Sequence, residues 1–146
     1  MDIEQTVVIQ RPVEEVFAFM SNAENDAQWR TNVIEIKQTS PGEHGVGTRY
    51  RQVVKGPGGR PLDADLEYTA FEPNKRLAFD TVSGSVRPSG VIEFTPLSED
   101  STQVRIHMTW EPSGAMKLAA PAIKKMLKSG LQESYANLAR RFAPEN

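Results

Sequence analysis

Between Asn32 and Pro112 the chain reads as six short strands in succession, with no helix between any two of them. They are NVIEIKQT, GTRYRQVVK, PLDADLEYTAFE, RLAFDTVS, VRPSGVIEFTP and TQVRIHMTWEP. Turn chemistry separates them: SPGEHGVG, GPGG, PNK, Ser83-Gly84 and LSEDS. A parallel neighbour needs a crossover of a dozen or more residues, so these connections imply antiparallel pairing.

What flanks the strands narrows the fold. DIEQTVVIQ alternates as a strand and ends at Arg11-Pro12, a handover to a helix. In PVEEVFAFM, the spacing of Val13, Val16, Phe17 and Met20 marks one helical face. A second short helical piece is predicted from Asn22 or Ala23 to about Trp29. After Ser113-Gly114 comes AMKLAAPAIKKMLKSGLQESYANLARRF, with Met116, Ala120, Ile123, Leu127, Gly130, Leu131, Ser134 and Leu138 on one face. Pro121 is expected to start its main segment after a preliminary turn, because a proline further in would deprive Lys117 of a backbone partner. An antiparallel sheet with one long amphipathic helix has one economical arrangement: the sheet curls and grips the helix. At 146 residues this is one domain, 1–146, long enough to bury a core without staples.

Composition closes off several chemistries. The absence of cysteine removes disulfides, thiol nucleophiles and thiolate metal sites. A net charge of −2 exerts no general pull on nucleic acid. MDIEQTVVIQ lacks the basic start and the apolar length of a signal peptide, and no run approaches a membrane span, so a cytoplasmic protein is expected.

Alternation sorts each strand into two faces. Leu62, Ala64, Leu66 and Tyr68 oppose Asp63, Asp65 and Glu67; Thr48, Tyr50, Gln52 and Val54 oppose Arg49, Arg51, Val53 and Lys55. A basic outer face could then lie beside an acidic one. In the last strand Val104, Ile106, Met108 and Trp110 share a face, and His107 falls among the charges, pointing out. The predicted interior is Ile34, Ile36, Tyr50, Gln52, Leu66 and Tyr68, with Phe79, Ile92, Phe94, Met108 and Trp110. It is the chemistry of a pocket for an apolar molecule with one or two polar handles, and equally of an ordinary core.

These residues together resemble a known family. IQRPVEEVFAFMSNAENDAQWRTNV is similar to the N-terminal signature of the START-related, polyketide cyclase-like proteins. HGVGTRYR resembles their Gly-x-Gly-Thr strand opening, EYTAFEPNKRLAF their strand–Glu-Pro–strand turn, and GAMKLAAPAIKKMLKSGLQESYANLARRF their closing helix. The resemblance implies an α+β helix-grip fold: a curved antiparallel sheet of six to seven strands around a long C-terminal helix, two short helices after the first strand, and a cavity between sheet and helix. It carries over no universal catalytic motif.

Within such a cavity Tyr50, Gln52 and Tyr68 are the candidate polar handles. Trp29 is either a lid over the entrance or a packing anchor. Phe79, Phe94, Met108 and Trp110 would form the sheet wall, with Met116 and Ile123 on the helix. No catalytic group is assigned; the candidates are His44, in a glycine-rich loop near the expected cavity mouth, and Tyr68. The histidines have no metal-ligand spacing, so no metal is expected. Gly42, Gly45 and Gly47 lie between strands rather than opening a helix, which is not the dinucleotide fingerprint, and no cofactor is expected. No Gly-x-Ser-x-Gly elbow occurs.

Lys117, Lys124, Lys125, Lys128, Arg140 and Arg141 would favour transient contact with an anionic membrane surface, without stable insertion; a solvated face is the competing reading. Exposed aromatics do not interleave this stripe, so no nucleic-acid partner is expected. With no acid or histidine assigned firmly inward, the leading expectation is binding of a hydrophobic or aromatic small molecule, lipid-, sterol- or polyketide-like. The alternatives are a polyketide cyclase or dehydratase acting through cavity shape and neutral polar residues, and a partner-binding module with a closed cavity. No oligomeric state follows from the sequence.

Overall fold

The computed structural model describes residues 1–144; the last two positions of the domain predicted over 1–146 lie outside the described residues. In chain order the elements are β1 (Asp2–Ile9), α1 (Val13–Met20), a 3₁₀ segment (Ala23–Gln28), β2 (Val33–Gln38), β3 (Arg49–Lys55), β4 (Pro61–Asp63), β5 (Leu66–Glu72), β6 (Arg76–Thr81), β7 (Ser89–Ser98), β8 (Ser101–Thr109) and α2 (Met116–Arg141). The sheet order is β1-β8-β7-β6-β5-β3-β2, with the short β4 beside β3. Every pairing is antiparallel. The curved sheet holds α2 against its inner face, the helix-grip fold that the strand order and the resemblance imply.

The expected faces largely hold. Val104 and Ile106 of β8 point inward to join Ile9, Val16, Leu77 and Leu138 in the main core. Phe17 of α1 meets Phe71 and Phe94 edge to face at 5.4 and 5.1 Å, an arrangement that suits the ring quadrupoles. On the outer face Arg49 of β3 pairs with Glu67 of β5 at 3.2 Å, the expected cross-strand charge match. His107 lies outside, its ring nitrogen 3.2 Å from Asp2.

Three local expectations are corrected. The run PLDADLEYTAFE is two strands rather than one. The Asp65 side chain accepts from the Gln52 amide at 3.1 Å, and its own amide donates to Ser83, so the ladder is interrupted there. Ile34 is 48% exposed rather than interior, because a register shift between Val33 and Glu35 turns it outward while Ile36 packs inward. The second short helical piece is found where expected, as a 3₁₀ segment. Finally, α2 begins at Met116 and contains Pro121, instead of restarting there. The first-turn amides of Met116, Lys117 and Leu118 bond three residues back, at 3.1–3.2 Å, and Lys117 is exposed, so water can serve the carbonyl that Pro121 cannot.

Candidate functional site

A cavity of about 380 Å³ lies between the inner face of the sheet and α2. Its apolar wall comes from alternate, inward positions of neighbouring strands: Leu66, Leu77, Phe79, Ile92, Ile106 and Met108. Met126, Leu127 and Leu131 close it from α2. Lys55 and Asp63 are the exposed wall residues and mark its mouth. Gly90 of β7 keeps part of this volume free. A Cβ there would fall 2.5 Å from the Phe79 ring, so only glycine lets that ring keep its place against the strand.

Opposite these apolar groups stands a polar cluster. The Asp26 carboxylate pairs with Arg30 Nη1 at 3.2 Å, and the same Nη1 donates to Gln52 Oε1 at 2.6 Å. Gln52 is fixed in turn, its Nε2 donating to the Ala64 carbonyl at 2.9 Å. Ser134 of α2 accepts from the Thr31 amide at 3.1 Å and completes this end of the wall. Asp26 is inward because of the 3₁₀ segment. At three residues per turn, Ala23, Asp26 and Trp29 stack on one side, and all three are buried.

Burial raises the Asp26 carboxyl from 3.8 to about 6, against the opposing pull of Arg30's charge and hydrogen bond. The Trp29 indole N–H lies near enough to favour the carboxylate, without reaching hydrogen-bond geometry. Burial also pushes the Tyr50, Tyr68 and Tyr135 phenols upward, so all three stay protonated at neutral pH.

Of the residues singled out in the sequence, Trp29, Gln52, Tyr68, Phe79 and Met108 line this cavity together. The others lie elsewhere. Tyr50 sits behind the wall, its hydroxyl accepting from the Ala23 amide at 3.3 Å. Phe94 is in the core against Phe17. Trp110 and Ile123 pack with Ala120, and Met116 joins them, in a separate cluster beside the first turns of α2. Tyr68 already donates its hydroxyl hydrogen to the Ser21 carbonyl at 2.9 Å. His44 stacks on Tyr50 at 6.2 Å with its Nε2 buried and unpartnered, off the cavity wall.

The expectation that no acid faces inward is overturned by Asp26, and Arg30 was equally unforeseen. Their spacing of four residues around Trp29 was the available signal: a carboxylate and its counter-ion flanking a large anchor. Among the described residues no group of three His, Asp or Glu is placed to hold a metal ion, and no helix is long and apolar enough to cross a membrane.

Comparison with known proteins gives a consistent picture. Residues 1–143 match the family described as polyketide cyclase / dehydrase and lipid transport. An uncharacterised 17.2 kDa protein of Streptomyces lincolnensis is 26% identical over 134 residues, 89% of this chain and 84% of that one. Among solved structures, the Thermus thermophilus protein TTHA0849 superposes with a TM-score of 0.82 at 20% identity, covering 97% of each chain. The Zhui aromatase/cyclase of a Streptomyces species gives 0.75 at 14% identity, over 97% of this chain and 94% of its own.

Proposed function

The chain belongs to the polyketide cyclase / dehydrase and lipid transport family, and we propose that its cavity binds a hydrophobic or aromatic small molecule bearing a polar handle. The observation that carries this reading is the composition of the wall: apolar side chains around about 380 Å³, with one polar cluster, Asp26–Arg30–Gln52, on one side. That volume falls within the roughly 300–1,000 Å³ of small-molecule sites, and a few convergent polar groups in an apolar wall fix a ligand's orientation.

The two tryptophans make the test direct, since Trp29 lines the cavity and Trp110 does not. A bromine atom quenches indole fluorescence only at near contact, so a bromoalkyl alcohol titrated into the protein reports which indole it reaches. Quenching should persist in Trp110→Phe and disappear in Trp29→Phe. The reverse pattern would put the ligand outside the cavity and end this reading. Native mass spectrometry of freshly purified protein would then give the mass of any resident ligand.

A second reading, an aromatase/cyclase-type enzyme, is supported by one specific feature: an acid on the cavity wall whose ionisation lies near neutrality. In that reading Asp26 moves protons while Arg30 polarises a carbonyl, in place of the neutral polar groups that the sequence suggested. Turnover of a poly-β-ketone by the purified protein, lost in Asp26→Asn, is its test; equal turnover in the variant would remove Asp26 from the chemistry.

A further inference from the structure

The Asp26–Arg30 pair is asymmetric in what it has left to offer. Both of Arg30's side-chain hydrogen bonds leave from Nη1, to Asp26 and Gln52. Among the described residues no acceptor takes Nε or Nη2, and the Arg30 side chain is 22% exposed. Gln52, locked through Ala64, holds the guanidinium in place on the wall. A rigid guanidinium with free donors on an apolar cavity matches the fork of an oxyacid head. Asp26 would oppose such a ligand, since two anions would then face one cation. Resting on the binding role proposed above, we infer that this cluster receives the anionic head of an apolar acid, which pairs with Arg30 while Asp26 takes up one proton and donates it as a hydrogen bond to the same head.

At pH 5 the carboxyl already holds its proton; where Asp26 starts ionised, at neutral pH and above, the balance is one proton taken from solvent for each ligand bound. Its cost is small because burial already pushes Asp26 up to about 6. Keeping the carboxyl neutral at pH 7 weakens affinity about tenfold, and below pH 5 the loss vanishes. The groups facing Asp26 do not compete in this range. Arg30 is the cation already paired with it, and Tyr50 of β3, Tyr68 of β5 and Tyr135 of α2 stay neutral. Neither histidine is on the wall, and the other wall carboxyl, Asp63, is at the exposed mouth with Lys55.

Two naphthalene dyes with one skeleton separate this inference from the binding role beneath it. Anilinonaphthalene sulfonate is anionic throughout pH 5–8, and N-phenylnaphthylamine is its neutral counterpart. Both are titrated into the folded protein across that range, with circular dichroism at each pH to show that the fold is intact. The sulfonate should bind roughly thirtyfold more tightly at pH 5 than at pH 7.5, following Asp26 protonation, while the neutral dye stays level. In Asp26→Asn the sulfonate should bind tightly at every pH, and in Arg30→Met weakly at every pH. Neutral-dye binding with a level sulfonate profile in the native protein would overturn this inference alone. Failure of both dyes to enter would overturn the cavity-binding role and this inference with it.

Discussion

Asp26→Asn provides a measurement of the cavity's electrostatics that needs no ligand. Asp26 ionises near 3.8 when the chain is unfolded and at about 6 in the folded protein, because burial disfavours its charged form more than Arg30 favours it. The folded state therefore holds the proton more tightly than the unfolded state. Below pH ~3.8 both states are protonated and the shift has no effect; as pH rises towards 6 the unfolded state gains by ionising first, and stability falls. Above pH 6 the loss is complete, about 3 kcal/mol for a shift of roughly two units at 1.4 kcal/mol each. Asparagine has nearly the same shape and no charge to desolvate. Subtracting the native protein's unfolding free energy from the variant's cancels every other titrating group. That difference should move by about 2 kcal/mol in favour of the Asp26→Asn variant between pH 4.5 and pH 7.5. Urea unfolding at the two pH values measures it, and thermal melts should show the same trend as about 4–8 °C. A difference that does not change with pH, or that moves the other way, would mean that Arg30 outweighs burial and holds Asp26 in the ordinary carboxylate range.

Gly90→Ala tests the shape of the cavity: the new Cβ would meet the Phe79 ring at 2.5 Å and drive it into the ligand space. The neutral naphthylamine should then bind about tenfold more weakly, a loss near 1.4 kcal/mol; unchanged affinity would show that the ring escapes elsewhere. Tyr135→Phe removes a hydroxyl that is buried without a partner. Since an unsatisfied buried polar group costs about 1–3 kcal/mol, the variant should melt at or above the native temperature, and a clear drop would reveal a partner such as a buried water.

The strands were readable because their two faces differ so sharply. Leu62, Ala64, Leu66 and Tyr68 against Asp63, Asp65 and Glu67 leave one arrangement that buries apolar area and solvates charge, and the structure adopts it. Where the pattern misled, backbone irregularity was the cause. The register shift between Val33 and Glu35 turns Ile34 outward while Ile36 keeps its expected face, and Asp65 splits a run whose alternation is uninterrupted. The wall residues followed the same logic. Phe79 and Met108 face the cavity, whereas Phe94 and Trp110 share their inward polarity but lie over other neighbours. Alternation reports which side of a sheet a residue occupies and carries no information about position along the curved trough.

Asp26 and Arg30 were hidden by a different ambiguity. AENDAQ is a polar run, and as an α-helix its 3.6-residue period offers no apolar stripe, so every charge in it reads as solvated. Closing the segment as a 3₁₀ helix changes the period to three and aligns Asp26 with Ala23 and Trp29. The two apolar neighbours then carry the carboxylate inside with them. Glu24, one step round the same segment, remains exposed and binds the Gln38 amide at 2.9 Å. An isolated carboxylate could not tolerate that position, and burial of Asp26 depends on Arg30 following four residues later and on Gln52 meeting it from β3. The cluster is thus a property of the segment's period and of β3 together, which is why neither the composition of the run nor the alternation of the strand disclosed it.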